Sequence, residues 1–146
     1  MERNLDKLAF RFFKLFAQYE STLKERGYFR TDNSGRITVD WDRFASEVVG
    51  SSFLEDLGKK REAAEFILDG PPKKQTVNDQ NKIIWADVKN NDRSAQALFG
   101  HIRRMRNNLF HGAKFNDTWF DPERSKALLE KGLVVLEHYR PCLRNH

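Results

Sequence analysis

Residues 95–111, AQALFGHIRRMRNNLFH, form the stretch on which the fold reading turns. Apolar residues recur at 98, 102, 105 and 109, the spacing of one face of a helix. At roughly 100° per residue, Phe99, Arg106 and Phe110 make a second stripe beside that face. Arg103, Asn107 and His111 make a third, polar stripe further round. Asp92 or Ser94 starts this helix and Gly112 ends it. Arg106 therefore sits at the core margin between two phenylalanines, whereas an arginine without a task ordinarily stands on the open face. As a bare spacing, the pair also fits a snorkelling arginine and a histidine that compensates the helix dipole.

Outward from this helix, the pattern continues in both directions. Upstream, residues 5, 8, 12, 15, 16, 19 and 23 are apolar, which defines one long amphipathic helix closed near Gly27. Residues 28–40 contain the turn cluster Asp32-Asn33-Ser34-Gly35 and read equally as a loop or a short hairpin. Asp40 is placed to cap a short helix with Trp41, Phe44, Val48 and Val49. A further helix is expected from Phe53 to Leu68, with Phe66 among its core residues, and Gly70-Pro71-Pro72 stops it. PPKKQTVNDQNK reads as a mobile surface loop, and IIWADV is too short to classify. Downstream, Asp121-Pro122 reads as an N-cap and first helical residue. The helix that follows carries Leu128, Leu129, Leu133, Leu136, Tyr139 and Leu143. The expectation is an all-α single domain over residues 1–146, a bundle of four to five helices.

Composition bounds the functions. The chain has 146 residues with 32% charged and 12% aromatic, including twelve Phe, so it is an ordered polar-surfaced domain. Its mean hydropathy is -0.74 and its pI about 9.4. The net charge of +5 favours a polyanionic partner, nucleic acid ahead of a membrane surface. The single Cys142 excludes an intrachain disulfide and suits a reducing compartment. Neither a secretory signal nor an apolar run of roughly 18 residues is present, so the expected location is cytoplasmic, with no membrane partner. No metal site and no cofactor are expected, because no carboxylate or Cys/His cluster surrounds the central helix.

RNNLFHGAK (residues 106–114) resembles the signature of the HEPN superfamily: an Arg followed by a polar residue, three further positions, then His at the end of the penultimate helix. The matching residues are Arg106, Asn107 and His111, followed by Gly112. YESTLKERGYF (19–29) is similar to a helix end in one bacterial branch of the family. The resemblance follows the order of elements over most of the chain, and only the motif is specific. It implies a HEPN-like helical bundle, homodimerisation through the motif helices, and metal-independent RNA cleavage to 2′,3′-cyclic phosphate and 5′-OH ends. A role as a toxin or anti-phage effector follows, with an antitoxin protein as a further partner. One toxin group of the family has a tyrosine two residues after the motif His; Ala113 stands there, so control through that tyrosine is not expected.

The residues suit the chemistry. The neighbouring 2′-OH of RNA supplies the nucleophile. His111 can carry a proton near neutral pH, Arg106 can hold two phosphate oxygens, and Asn107 can orient His111 or bond the phosphate. Positions 106 and 111 point roughly 140° apart on a regular helix, which favours a composite site shared by two chains. Phe99 and Phe110 are then interface candidates. Glu20, at the edge of the first helix's apolar stripe, either pairs with Arg106 or forms an exposed i,i+4 pair with Lys24. Arg103, Arg104 and Lys114 bracket the motif as RNA-binding residues. The competing function is a non-catalytic module that binds RNA or a nucleotide, or serves only as an interaction subunit.

Overall fold

The long first helix, α1 (Glu2–Glu25), buries Leu5, Phe12, Leu15, Phe16, Tyr19 and Leu23. These are positions the periodicity selects. Gly27 ends it at φ +89°, a conformation that glycine adopts without a Cβ penalty. The closing bond runs from the Tyr28 amide to the Leu23 carbonyl at 2.9 Å. The computed structural model describes residues 2–110, 114–115, 118–119 and 121–144.

The ambiguous stretch after α1 is a hairpin, β1 (Phe29–Thr31) paired antiparallel with β2 (Ile37–Val39). Asp32 organises its turn: Oδ1 accepts from the Ser34 amide, the Ser34 hydroxyl and the Arg36 amide. Asp40 then caps α2 (Trp41–Phe44), its carboxylate accepting from the Arg43 amide at 3.2 Å. The helix continues as a π-turn over Ala45–Val49.

The helix expected from Phe53 to Leu68 is broken. It consists of α3 (Phe53–Leu57), a 3₁₀ turn and α4 (Arg61–Asp69), and Gly58 at φ +57° makes the break. Phe53, Leu57, Ala64, Ile67 and Leu68 are buried as expected. Phe66 is not; at 38% exposed it faces outward beneath Lys131, whose ammonium lies 5.7 Å from the ring centre. The expected loop and the unclassified IIWADV together form a second hairpin, β3 (Lys74–Val77) with β4 (Ile83–Ala86). The all-α expectation is corrected accordingly. The domain is mainly helical with short hairpins, including the two-residue ladder of β5 (Lys114–Phe115) with β6 (Thr118–Trp119).

Two helices complete the core. α5 (Ala95–Phe110) is capped by the Ser94 hydroxyl, which accepts from the Ala97 amide at 3.1 Å. Its expected terminator, Gly112, lies outside the described residues. α6 (Pro122–Tyr139) starts at the expected proline. Asp121 precedes it at φ +48° and makes no side-chain cap, unlike the expected N-cap role. If Phe53–Asp69 is counted as one interrupted segment, the described residues hold five helical segments, and their apolar faces join in a single core cluster.

Two contacts position α5. Gly132 of α6 lets the helices approach closely, since a Cβ there would stand 3.1 Å from both Met105 Sδ and Phe12 Cε2. Trp41 is wedged between α1 and α5, with ring centroids 5.0 Å from Phe16 and 6.0 Å from Phe99. Among the described residues, no helix is long and apolar enough to cross a membrane.

Candidate nucleic-acid site

The C-terminal half of α5 and the matching stretch of α1 form two walls of a cleft of about 330 Å³, and β2 forms the third. That volume falls within the roughly 300–1,000 Å³ typical of small-ligand sites. Arg103, Arg106 and Asn107 enter it from α5, Glu20 and Lys24 from α1, and Arg36 from the hairpin. Phe16 and Trp41, both almost fully buried, contribute an aromatic floor. Four of the sequence-selected residues, Glu20, Arg103, Arg106 and Asn107, are thus brought to one place although Glu20 lies more than 80 residues from the others in the chain.

Arg106 is half-buried, and its orientation comes from its own helix. Nη1 donates to Asn107 Oδ1 at 3.2 Å, and the guanidinium carbon lies 4.4 Å from the Phe110 ring centre. Glu20 lines the same cleft, but among the described residues no ion pair joins it to Arg106 or to Lys24. Both pairings expected for Glu20 are therefore absent there, and the Arg106 rotamer is set by Asn107 and Phe110 instead.

The other expected residues fall elsewhere. Arg104, one position on from Arg103 and therefore about 100° round the helix, does not line the cleft. It is half-buried beside His101, with Nη1 3.3 Å from His101 Nδ1, and burial lowers its pKa. Phe99 is fully buried, packed edge-on against Phe44 at 5.3 Å, so it cannot serve an interface. Phe110 is 57% exposed and packs against Phe13 with the rings tilted and 5.5 Å apart, and the exposed Phe10 is on the same helix as Phe13. His111 lies outside the described residues, as does the Lys114 side chain, although the Lys114 backbone pairs with Trp119.

Two charged cleft residues were missed by sequence reading. Lys24 is one helical turn beyond Glu20, a signal that was available. Arg36 follows the Asp32–Gly35 turn, and nothing in the sequence told where that hairpin would fold.

The cleft is electropositive: four cations face a single carboxylate. Elsewhere on the surface, several arginines are neutralised by carboxylates, as in Arg43–Glu47 at 2.8 Å, Arg93–Asp69 at 2.7 Å and Arg61–Glu65 at 3.4 Å. Among the described residues, none of the four cleft cations has such a partner. A site of this kind attracts an anion.

No family model, curated protein or solved structure matches this chain. What the cleft does is therefore inferred from its residues.

Proposed function

We propose that this chain is a metal-independent endoribonuclease of HEPN type, acting as a cytoplasmic homodimer. The observation that carries the reading is the convergence of Arg103, Arg106 and Asn107 on one electropositive cleft, with Arg106 oriented by Asn107 and Phe110. The residue string 106–112 that resembles the HEPN motif supplies the rest.

In this mechanism the RNA 2′-OH attacks the adjacent phosphorus and the bond to the 5′-oxygen breaks. The products are a 2′,3′-cyclic phosphate and a 5′-OH. Arg106 holds the non-bridging oxygens, where charge grows in the transition state, and its planar fork suits two of them. His111 takes or returns the proton. Asn107 keeps the guanidinium aimed. The directions of positions 106 and 111 call for His111 of a second copy, and the exposed Phe10, Phe13 and Phe110 provide apolar surface for that copy to cover. Growth arrest or anti-phage defence through RNA cleavage, held in check by an antitoxin protein, is the biological role that follows.

The test is the chemistry of the products. Purified protein incubated with single-stranded RNA in EDTA is expected to leave 2′,3′-cyclic phosphate ends, read by mass spectrometry. Fragments with 3′-OH ends overturn the mechanism. RNA that is bound but intact after long incubation replaces it with the non-catalytic binding module.

A further inference from the structure

We infer that Lys24 and Arg36 form, with Arg103 and Arg106, a clamp that grips successive phosphates of one RNA strand across the cleft. This inference rests on the function proposed above and extends it to how substrate is held. Its ground is the three-walled geometry. Arg103 and Arg106 stand on α5, Lys24 stands on α1, and Arg36 stands on the β1–β2 hairpin. A single phosphate needs one or two of these groups. Four cations on three separate elements, around a cleft with only one carboxylate, provide for more than one negative charge.

The hairpin is built to hold Arg36 in place. Its turn is fixed by the three bonds that Asp32 accepts, one of them from the Arg36 amide itself at 2.9 Å. The Ser34 hydroxyl first, and the Arg36 amide after it, keep the Asp32 carboxyl below its usual range. At its base, Asp40 donates its amide to the Tyr28 carbonyl at 2.9 Å, and Arg43 lies over the Tyr28 ring at 4.8 Å. Arg36 and Lys24 are both exposed, and neither side chain packs in the core. Among the described residues neither is closed into an ion pair, although Arg36 lies within the field of the Asp32 carboxylate, and truncating either is expected to leave the core undisturbed.

The ligand is single-stranded RNA and not an acidic protein, because the clamp surrounds the groups assigned to the scissile phosphate. The experiment measures affinity against salt, using a fluorescent 2′-O-methyl oligoribonucleotide that lacks the attacking hydroxyl. Each cation withdrawn from a phosphate lowers the slope of log affinity against log salt by about 0.7 for a single strand. Lys24→Ala with Arg36→Ala is expected to lower it by about 1.4, so that raising salt from roughly 50 to 200 mM costs about sevenfold less affinity. Lys59→Ala with Lys60→Ala, outside the cleft, is the control and leaves the slope unchanged. If the Lys24/Arg36 variant keeps the wild-type slope while Arg106→Ala lowers it, the clamp is wrong and the proposed site stands. If the wild-type protein binds no RNA, or Arg106→Ala changes nothing, both fall. A poly-glutamate peptide that binds with the same dependence on Arg36 overturns the assignment to RNA.

Discussion

Arg106 and Phe110, one turn apart on α5, are stacked, with the guanidinium carbon 4.4 Å from the ring centre. The exposed phenylalanine is thereby part of the device that points the arginine into the cleft. Lysine keeps the charge but has neither the planar fork nor the flat face that stacks. Arg106→Lys is therefore expected to keep salt-dependent RNA binding while losing cleavage by about 10²-fold or more. Single-turnover cleavage measured beside equilibrium binding checks this, and equal losses in both would show that Arg106 serves ground-state binding alone.

Phe99 and Phe110 share the α5 helix, and their substitutions should act on different properties. Phe99→Ala removes a fully buried ring from the Trp41–Phe44–Tyr139 cluster and should cost about 3–5 kcal/mol in urea unfolding. Phe110→Ala should leave monomer stability nearly unchanged and weaken self-association by about tenfold or more, read by sedimentation equilibrium. A protein that is monomeric at every concentration would remove the composite site.

His101 gives a pH signature. It is buried, its Nε2 has no hydrogen-bond partner among the described residues, and desolvation, with Arg104 beside it, pushes its pKa below the ordinary histidine value. A depressed pKa means that the unfolded chain takes up a proton which the folded chain refuses. Stability is then intact above about pH 6.5 and falls as pH drops below it. His101→Leu should flatten that fall between about pH 6.5 and 5, followed by urea midpoints at each pH. An unchanged pH dependence in the variant would show that other groups carry it.

Much of the fold was legible because long helices repeat their apolar residues on one face. In α1 and α6 the positions selected by period are those found in the core, from Leu5 and Phe12 to Leu136 and Tyr139, with Leu8 only partly buried against it. The hairpins were not legible for a physical reason. β3 and β4 bury neither face fully, and Val77, Ile83 and Ile84 are exposed, so no alternation marks them. The break at Gly58 was hidden because the apolar period runs across it. Within the site, Arg103, Arg106 and Asn107 were visible as neighbouring stripes of one helix. Arg36 was not, since its place depends on how the hairpin after α1 folds back towards α1 and α5. Phe99 shows the limit of helical-wheel reasoning: its azimuth suggested a margin, but Trp41 and Phe44 of α2 cover it.

Gly132 should tolerate only the smallest addition. A Cβ there meets Met105 Sδ and Phe12 Cε2, each at 3.1 Å. For alanine, the helix-propensity gain of up to about 1 kcal/mol offsets small shifts of the flexible methionine and of the buried Phe12 ring. Gly132→Ala should therefore be close to neutral. Gly132→Leu should overpack the α1–α5–α6 junction and cost about 1–3 kcal/mol in chemical denaturation. A leucine variant as stable as the parent would mean that the junction is looser than its geometry.

Mixing two inactive variants distinguishes a site shared between copies from a site within one copy. Arg106→Ala and His111→Ala, each with unchanged helical content, should separately lose cleavage by about 10²-fold or more in EDTA. In a two-fold dimer whose sites draw Arg from one copy and His from the other, a mixed dimer regains one intact site. An equal mixture, after subunit exchange, should then recover roughly a quarter of wild-type cleavage. Cleavage that persists in either single variant, or a mixture that stays as inactive as its components, would contradict the account.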